Sequence, residues 1–390
     1  MKVLKHIVDI NKIWISYFIS KCMKIKKKNR DIWLISERRD EAEDNGYHLF
    51  KYIRENHPRE NVFYIIDKKA PKYMEIKVYG NIIQHNSLKH YIYYFLADKH
   101  ISAFQFFGVP ETPFLWKLEE LGIIKKKKIF LQHGITKEML PFLQYENTKY
   151  RLFVCGARPE YEYIREKFGY PSDNVKYLGF CRFDNLHEFI EKKQILVMPT
   201  WRQWLGMTNK DTNVKEDREK FKNSDYYTVY SSLINNVKLQ KLLEKNNYEL
   251  IFYPHPEMQR FIDEFMTEMK NVRIADRKKE NLQELMKTSK IIITDYSSIS
   301  FDCGYMNKLL IYYQFDEKLY HSKHFKKGYF DAKRDGFGPV VENENDLLCI
   351  LSDYIKRESM EESYKIRAKE FFQIRDSKNS ERNYYEIKNL

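Results

Sequence analysis

An α/β fold built on doubly wound parallel sheets is the expectation from this sequence, and three observations carry it. From Asp31 onward, short continuous apolar runs alternate with charged stretches of helical length, the pattern of βα units feeding a parallel sheet. That series runs to about Leu178 and starts afresh at Gln194. At 390 residues the chain has room for two such domains, and a hydrophobic content of 43% supplies a core for each.

Taken in order, residues 1–28 stand apart. Leu4, Ile7, Val8, Trp14, Ile15, Phe18 and Cys22 recur at helical spacing, Lys2, Lys5, Lys12 and Lys21 lie among them, and Lys24–Arg30 is a basic run. Two readings follow: a helix lying in an anionic membrane surface, or one packed on the protein's own body. Strands are then expected at Ile32–Ser36, Val62–Asp67, His100–Phe104, Lys128–Gln132, Leu152–Cys155 and Val175–Leu178. Helices are expected from Asn45 to Asn56, stopped by Pro58, and at Pro159–Phe168 with proline in its first turn. His187–Lys193 reads as a charged, helix-like connector. The second series comprises ILVMP, YELIFYP, VRIA, KIIITD and LLIYYQ, with helices at Leu233–Lys245 and Leu282–Lys287. Asn209–Ser224 is polar and poor in apolar residues, which predicts a mobile loop. Asn343–Leu390 reads as helices, its end from Lys369 folding back across the domains. The resulting division is 1–28, 29–188, 189–360 and 361–390.

A formal charge of +13 suits anionic partners. Nucleic acid is not expected among them, because no RNP-like, zinc-finger or helix-turn-helix signature is present. A basic scaffold that binds membrane or nucleic acid is the non-enzymatic alternative. The five cysteines are scattered without a CxxC pair, which fits a reducing compartment and no structural zinc. No apolar run reaches the ~18–20 residues of a spanning helix, and no signal-peptidase site is recognisable. There is no HExxH and no strand-end DxD, so no metal is expected, and no GxGxxG or GxxxxGK[ST] to cradle phosphates.

The chemistry therefore falls on strand ends and helix starts. Lys290–Asp302, KIIITDYSSISFD, is a buried strand followed by Asp295, Ser297 and Ser298, placed where open α/β sheets bind ligands. Ser297 or Ser298 is the expected N-cap of the next helix, a setting for anions. His133, in LQHG, follows a strand, with Gly134 to turn the chain or admit a ligand; a neutral imidazole there can accept a proton from a hydroxyl. His255 is held between Pro254 and Pro256, suited to contact a phosphate or to donate a proton to a leaving group. Arg202, in PTWR, has the fork to pair with a diphosphate. Each has an ordinary alternative: a turn histidine, a stiff turn, a surface arginine, a plain strand–cap–helix.

Jointly, LQHG (Leu131–Gly134), PTWR (Pro199–Arg202), YPHP (Tyr253–Pro256), TDYSSISFD (Thr294–Asp302) and the turn at Gly338–Pro339 resemble the CDP-glycerol glycerophosphotransferase family of teichoic-acid and capsule synthesis. QHGITK departs from the WHGTPLK form common in the wall-polymer polymerases. The resemblance implies a GT-B-like architecture: two Rossmann-like domains with a ligand cleft between them, 29–188 for the acceptor and 189–360 for the nucleotide donor. It implies His133 as general base; His255, Ser297 and Ser298 on the diphosphate, His255 also counting as catalytic; Arg202 adding charge; and Asp302 supporting the site or meeting the ribose. Thr294 and Asp295 complete the implied donor site. The expected reaction transfers glycerol phosphate from CDP-glycerol to a hydroxyl of a surface polymer and releases CMP, with no cofactor. CDP-ribitol and a nucleotide sugar are the alternative donors. A lipid-linked acceptor implies peripheral attachment to the cytoplasmic face of the membrane.

Overall fold

The computed structural model describes residues 2–25, 31–105, 108–206, 214–324 and 326–390. It divides into two compact units. Unit 1 comprises Met1–Ile135, Pro141–Asn185 and Ile374–Leu390; unit 2 comprises Thr136–Leu140 and Leu186–Gln373. This differs from the contiguous division expected, because 374–390 joins unit 1 while 361–373 stays with unit 2.

Unit 1 carries seven parallel strands: β1 (Trp33–Ser36), β2 (Val62–Ile66), β3 (Ile82–Gln84), β4 (Lys99–Ser102), β5 (Lys127–Phe130), β6 (Leu152–Cys155) and β7 (Val175–Tyr177), in the order β3-β2-β1-β4-β5-β6-β7. Unit 2 carries six: β8 (Lys192–Met198), β9 (Glu249–Phe252), β10 (Val272–Ile274), β11 (Ser289–Thr294), β12 (Leu309–Tyr313) and β13 (Val340–Val341), in the order β10-β9-β8-β11-β12-β13. Both sheets are Rossmann-like. Each reverses direction of growth beside its first strand, between β1 and β4 and between β8 and β11. β1, β6 and β12 are buried along their whole length, as strands covered on both faces must be.

Several expectations are corrected. The helix expected over Leu233–Lys245 is two helices, Asp225–Ile234 and Val237–Asn246. Asn236 starts the second by accepting from the backbone N–H groups of Lys238 and Leu239, a cap inside a continuous apolar pattern. Val214–Lys222, expected in a mobile loop, is helical, and residues 209–213 of that stretch lie outside the described residues. Residues 187–191 form no helix, and Lys192 and Lys193 open β8.

The helix Lys2–Lys24 packs on the body of unit 1, the second of the two readings given for it. Ile13 is buried, Lys12 donates to the carbonyl of Asn86 at 2.7 Å, and Lys24 pairs with Asp98 at 2.8 Å. Trp14 and Phe18 nevertheless remain 63% and 70% exposed. Residues 26–30 of the basic run, and the side chains of Leu4, Ile7 and Val8, lie outside the described residues. At the other end, helix Asn379–Lys388 folds back onto unit 1. There Tyr384 packs against Trp33, and the Asn383 amide donates to the carbonyl of Gly179.

Candidate active site

In unit 2 the ends of β8 and β11 are tied together. The Thr294 hydroxyl donates to the carbonyl of Met198 at 2.7 Å. One oxygen of Asp295 accepts from the Thr200 N–H at 2.8 Å, the Thr200 hydroxyl at 2.5 Å and the Tyr296 N–H at 2.6 Å. Its other oxygen meets the Arg202 guanidinium at 2.9 Å. Arg202 is 0% exposed; it grips Asp316 with two bonds, 2.8 and 2.9 Å, and donates to the carbonyl of Thr200. Burial would lower its pKa, but Asp295 and Asp316 outweigh it and hold the guanidinium well above its usual value. Arg202 was expected on the diphosphate, and the geometry corrects this: its fork is spent on two carboxylates inside the unit. Thr294 and Asp295 likewise turn inward and hold the loop in place.

Beyond this cluster the helix Ile299–Tyr305 begins. Ser298 occupies its cap position in a helical conformation and makes no capping hydrogen bond, while the Ser297 hydroxyl accepts only a long 3.4 Å bond from Ile299. The expected capping is thus weak. Asp302 lies in the first turn of this helix and is buried. His255 follows β9 and caps the 3-10 helix Pro256–Glu264, its Nδ1 accepting from the Glu257 N–H at 3.2 Å. A ring nitrogen that accepts carries no proton, so the neutral imidazole bears its hydrogen on Nε2. Trp201 stacks beside it at 6.3 Å.

A cavity of about 400 Å³, counting its mouth, lies against Asp295, Tyr296 and Ser300. Its rim brings Lys137, His321, Lys327 and Lys333 together, none of which sequence reasoning singled out. Lys137 lies four residues past His133, yet it belongs to unit 2. Gly328 makes its approach possible, since a Cβ there would stand 2.0 Å from the Lys137 carbonyl oxygen.

In unit 1, His133 follows β5. The chain takes a left-handed conformation at Gln132, whose φ is 60°, and bends through His133 and Gly134. A left-handed non-glycine residue costs about 1–3 kcal/mol, and the surroundings fix it. The buried Gln132 amide donates to the carbonyl of Val154 at 2.6 Å and to Glu160 at 3.0 Å, and its own carbonyl accepts from Asn45 at 2.7 Å. His133 is thereby presented with its edge open to solvent and one face stacked on Phe104, 4.8 Å between centroids and 11° between planes. The Arg38 guanidinium lies 4.7 Å from the same Phe104 ring. Desolvation by the atoms packed around the ring, then the cations of Arg38 and Arg182, lower the imidazole to about 4. Despite its open edge, the ring therefore stays neutral at physiological pH and able to accept a proton.

Residues 15–389 match the family model of CDP-glycerol:poly(glycerophosphate) glycerophosphotransferases. The chain belongs to this family. It is 37% identical over 365 residues to the minor teichoic acid biosynthesis protein GgaB of Bacillus subtilis (strain 168), covering 93% of this chain and 40% of that protein. It is 26% identical over 187 residues to the teichoic acid glycerol-phosphate transferase of Staphylococcus aureus (strain NCTC 8325 / PS 47), covering 48% and 42% of the two chains. This glycerophosphotransferase-family chain thus spans less than half the length of either relative. Its fold is that of the wall teichoic acid polymerase TagF, with a TM-score of 0.67 at 16% identity over 99% of this chain and 97% of that one. Its Rossmann-like units are therefore of the GT-B kind.

Proposed function

We propose that this chain transfers glycerol phosphate from CDP-glycerol to a hydroxyl of a teichoic-acid polymer. The observation that carries the reading is the family match across residues 15–389, and a histidine held neutral at a strand end gives it a chemical means. The acceptor oxygen forms a bond to the glycerol-bearing phosphorus, the P–O bond to CMP breaks, and the acceptor's proton passes to the imidazole of His133. Phosphoryl transfer asks the protein chiefly for positioning and charge. His255, Ser297 and Ser298 are proposed to hold the diphosphate. Arg202, Asp295 and Thr294 act one step back by fixing the loop that carries the serines, and Asp302 supports the helix behind it. No metal is required in this scheme.

The acceptor is proposed to be lipid-linked, with the enzyme peripheral on the cytoplasmic face of the membrane. Among the described residues no helix is long and apolar enough to cross a bilayer. The exposed Trp14, Ile15 and Phe18 supply an apolar stripe for the headgroup boundary. Each nearby lysine adds about 1 kcal/mol on an anionic surface.

The deciding experiment offers CDP-glycerol, CDP-ribitol and nucleotide sugars, each radiolabelled, with a panel of polymer acceptors. CMP release from CDP-glycerol coupled to label in the polymer is expected. Labelling from CDP-ribitol or a nucleotide sugar alone would overturn the donor assignment.

A further inference from the structure

β1 and β4 are the neighbours at which the strand order of unit 1 reverses, and open α/β sheets take ligands beyond the carboxyl ends of such a pair. A cavity of about 550 Å³, counting its open mouth, lies along these strands. Ser36 and Ser102, the last residues of β1 and β4, both line it. Gly108, at φ 91°, borders it too; a Cβ on Gly108 would come 2.4 Å from the Ser36 hydroxyl oxygen, so only glycine lets the loop close there.

We infer that this cavity receives a neutral polyhydroxylated unit, a sugar or polyol residue of the acceptor adjoining the hydroxyl that is phosphorylated. The inference rests on the proposed transferase reading and deepens it. The polar lining includes groups that suit hydroxyls, the alcohols of Ser36 and Ser102 and the amide of Asn147, while the Thr148 hydroxyl is bonded to that of Tyr170 at 2.6 Å. No arginine lines it, and its one lysine, Lys128, stands 3.9 Å from Glu119. Glu119 in turn accepts from the Tyr94 hydroxyl at 2.5 Å. An entering phosphate would meet a lysine already neutralised and a carboxylate that repels it, whereas a neutral hydroxylated ring meets neither penalty. His100, also in the lining, is held well below its usual pKa by burial and adds no positive charge. Phe104 connects the cavity to the base. Its ring lines the cavity and stacks on His133, and its backbone N–H donates to the Ser102 hydroxyl at 3.1 Å. A hydroxyl leaving the cavity past Phe104 therefore arrives beside the imidazole.

The test uses the full chain without donor. Methyl β-D-glucoside, methyl N-acetyl-β-D-glucosaminide and glycerol serve as neutral probes, and glycerol 3-phosphate as the charged one, read by saturation-transfer difference NMR. At least one neutral probe is expected to bind at least tenfold more tightly than glycerol 3-phosphate, and to lose its signal in Ser102→Leu, which fills the cavity. Asn147→Trp blocks the mouth from an exposed position and covers the case in which Ser102→Leu does not fold. In turnover, Asn147→Trp should raise the acceptor KM at least tenfold with kcat little changed. Unaltered probe binding in Asn147→Trp, or tighter binding of glycerol 3-phosphate, overturns the inference. Because the NMR arm needs no CDP-glycerol, saccharide binding without CMP release would sink the transferase reading alone. CMP release with an unchanged acceptor KM in the variant would sink the cavity alone.

Discussion

The two units share a topology and fill its critical point in opposite ways. Where β8 meets β11, the space beyond the strand ends is occupied by protein: Arg202 clamped between Asp295 and Asp316, with Tyr226, Tyr296 and Tyr320 around the guanidinium. Where β1 meets β4, the corresponding ends carry two serines and face a cavity. The comparison teaches that topology nominates a position and side chains decide its use. A buried ion cluster moves the usable surface of unit 2 outward, to the serine loop, His255 and the lysine-rimmed cavity. Short hydroxyl side chains leave unit 1 hollow at the point itself.

The largest effect should come from breaking the filled side. Arg202→Met strands two buried carboxylates, and removing one partner of a buried ion pair typically costs about 3–5 kcal/mol. Urea unfolding should register that loss; a drop below about 1 kcal/mol would contradict the clamp. On the other side, His133→Ala should lower kcat by about 10²–10⁴-fold, the usual contribution of a general base, with CDP-glycerol affinity retained in calorimetry. Turnover near wild type would remove His133 from the mechanism.

A pH profile sharpens the same point. The base must be neutral, and protonation abolishes it, so activity should fall as pH drops through about 4. An acid limb in kcat/KM at 6–7 would mean that the ring is not desolvated as described. Smaller effects belong to the outward surface of unit 2. His255→Ala, or Ser297→Ala with Ser298→Ala, should weaken CDP-glycerol binding by about ten- to a hundredfold, as loss of a charge-assisted hydrogen bond does. Unchanged affinity in both would show that the serine loop serves structure alone. Last, EDTA is expected to leave turnover nearly unchanged; strict dependence on added Mg²⁺ would show that cationic side chains do not suffice.

Much of this was legible in the sequence, for a physical reason. Parallel strands covered on both faces must be apolar throughout, so β1, β6, β11 and β12 announced themselves as unbroken runs. What escaped depended on distant partners or on single backbone angles. Nothing near Arg202 reveals that Asp316, 114 positions on, will claim its fork. Nothing near Gln132 reveals that it takes a left-handed conformation, which Val154, Glu160 and Asn45 hold in place. Asn236 caps a helix in the middle of an amphipathic pattern that runs through it. Lys137 gave no signal: its placement depends on a glycine far along the chain. The histidines and serines were singled out because chemistry restricts which residues can do such work, but the cavity of unit 1 is lined by residues common on any surface.

The return of helix Asn379–Lys388 to unit 1 has a consequence for the order of assembly during synthesis. Domains generally fold as units while the chain emerges, the earlier one first. Here the residues that cover Trp33 and bond to Gly179 leave the ribosome only after all of unit 2 has been made. Unit 1 must therefore wait, its sheet formed but one flank uncovered, while unit 2 completes itself. A released chain truncated after residue 373 should expose that flank to chaperones and proteases, with unit 2 resistant to digestion.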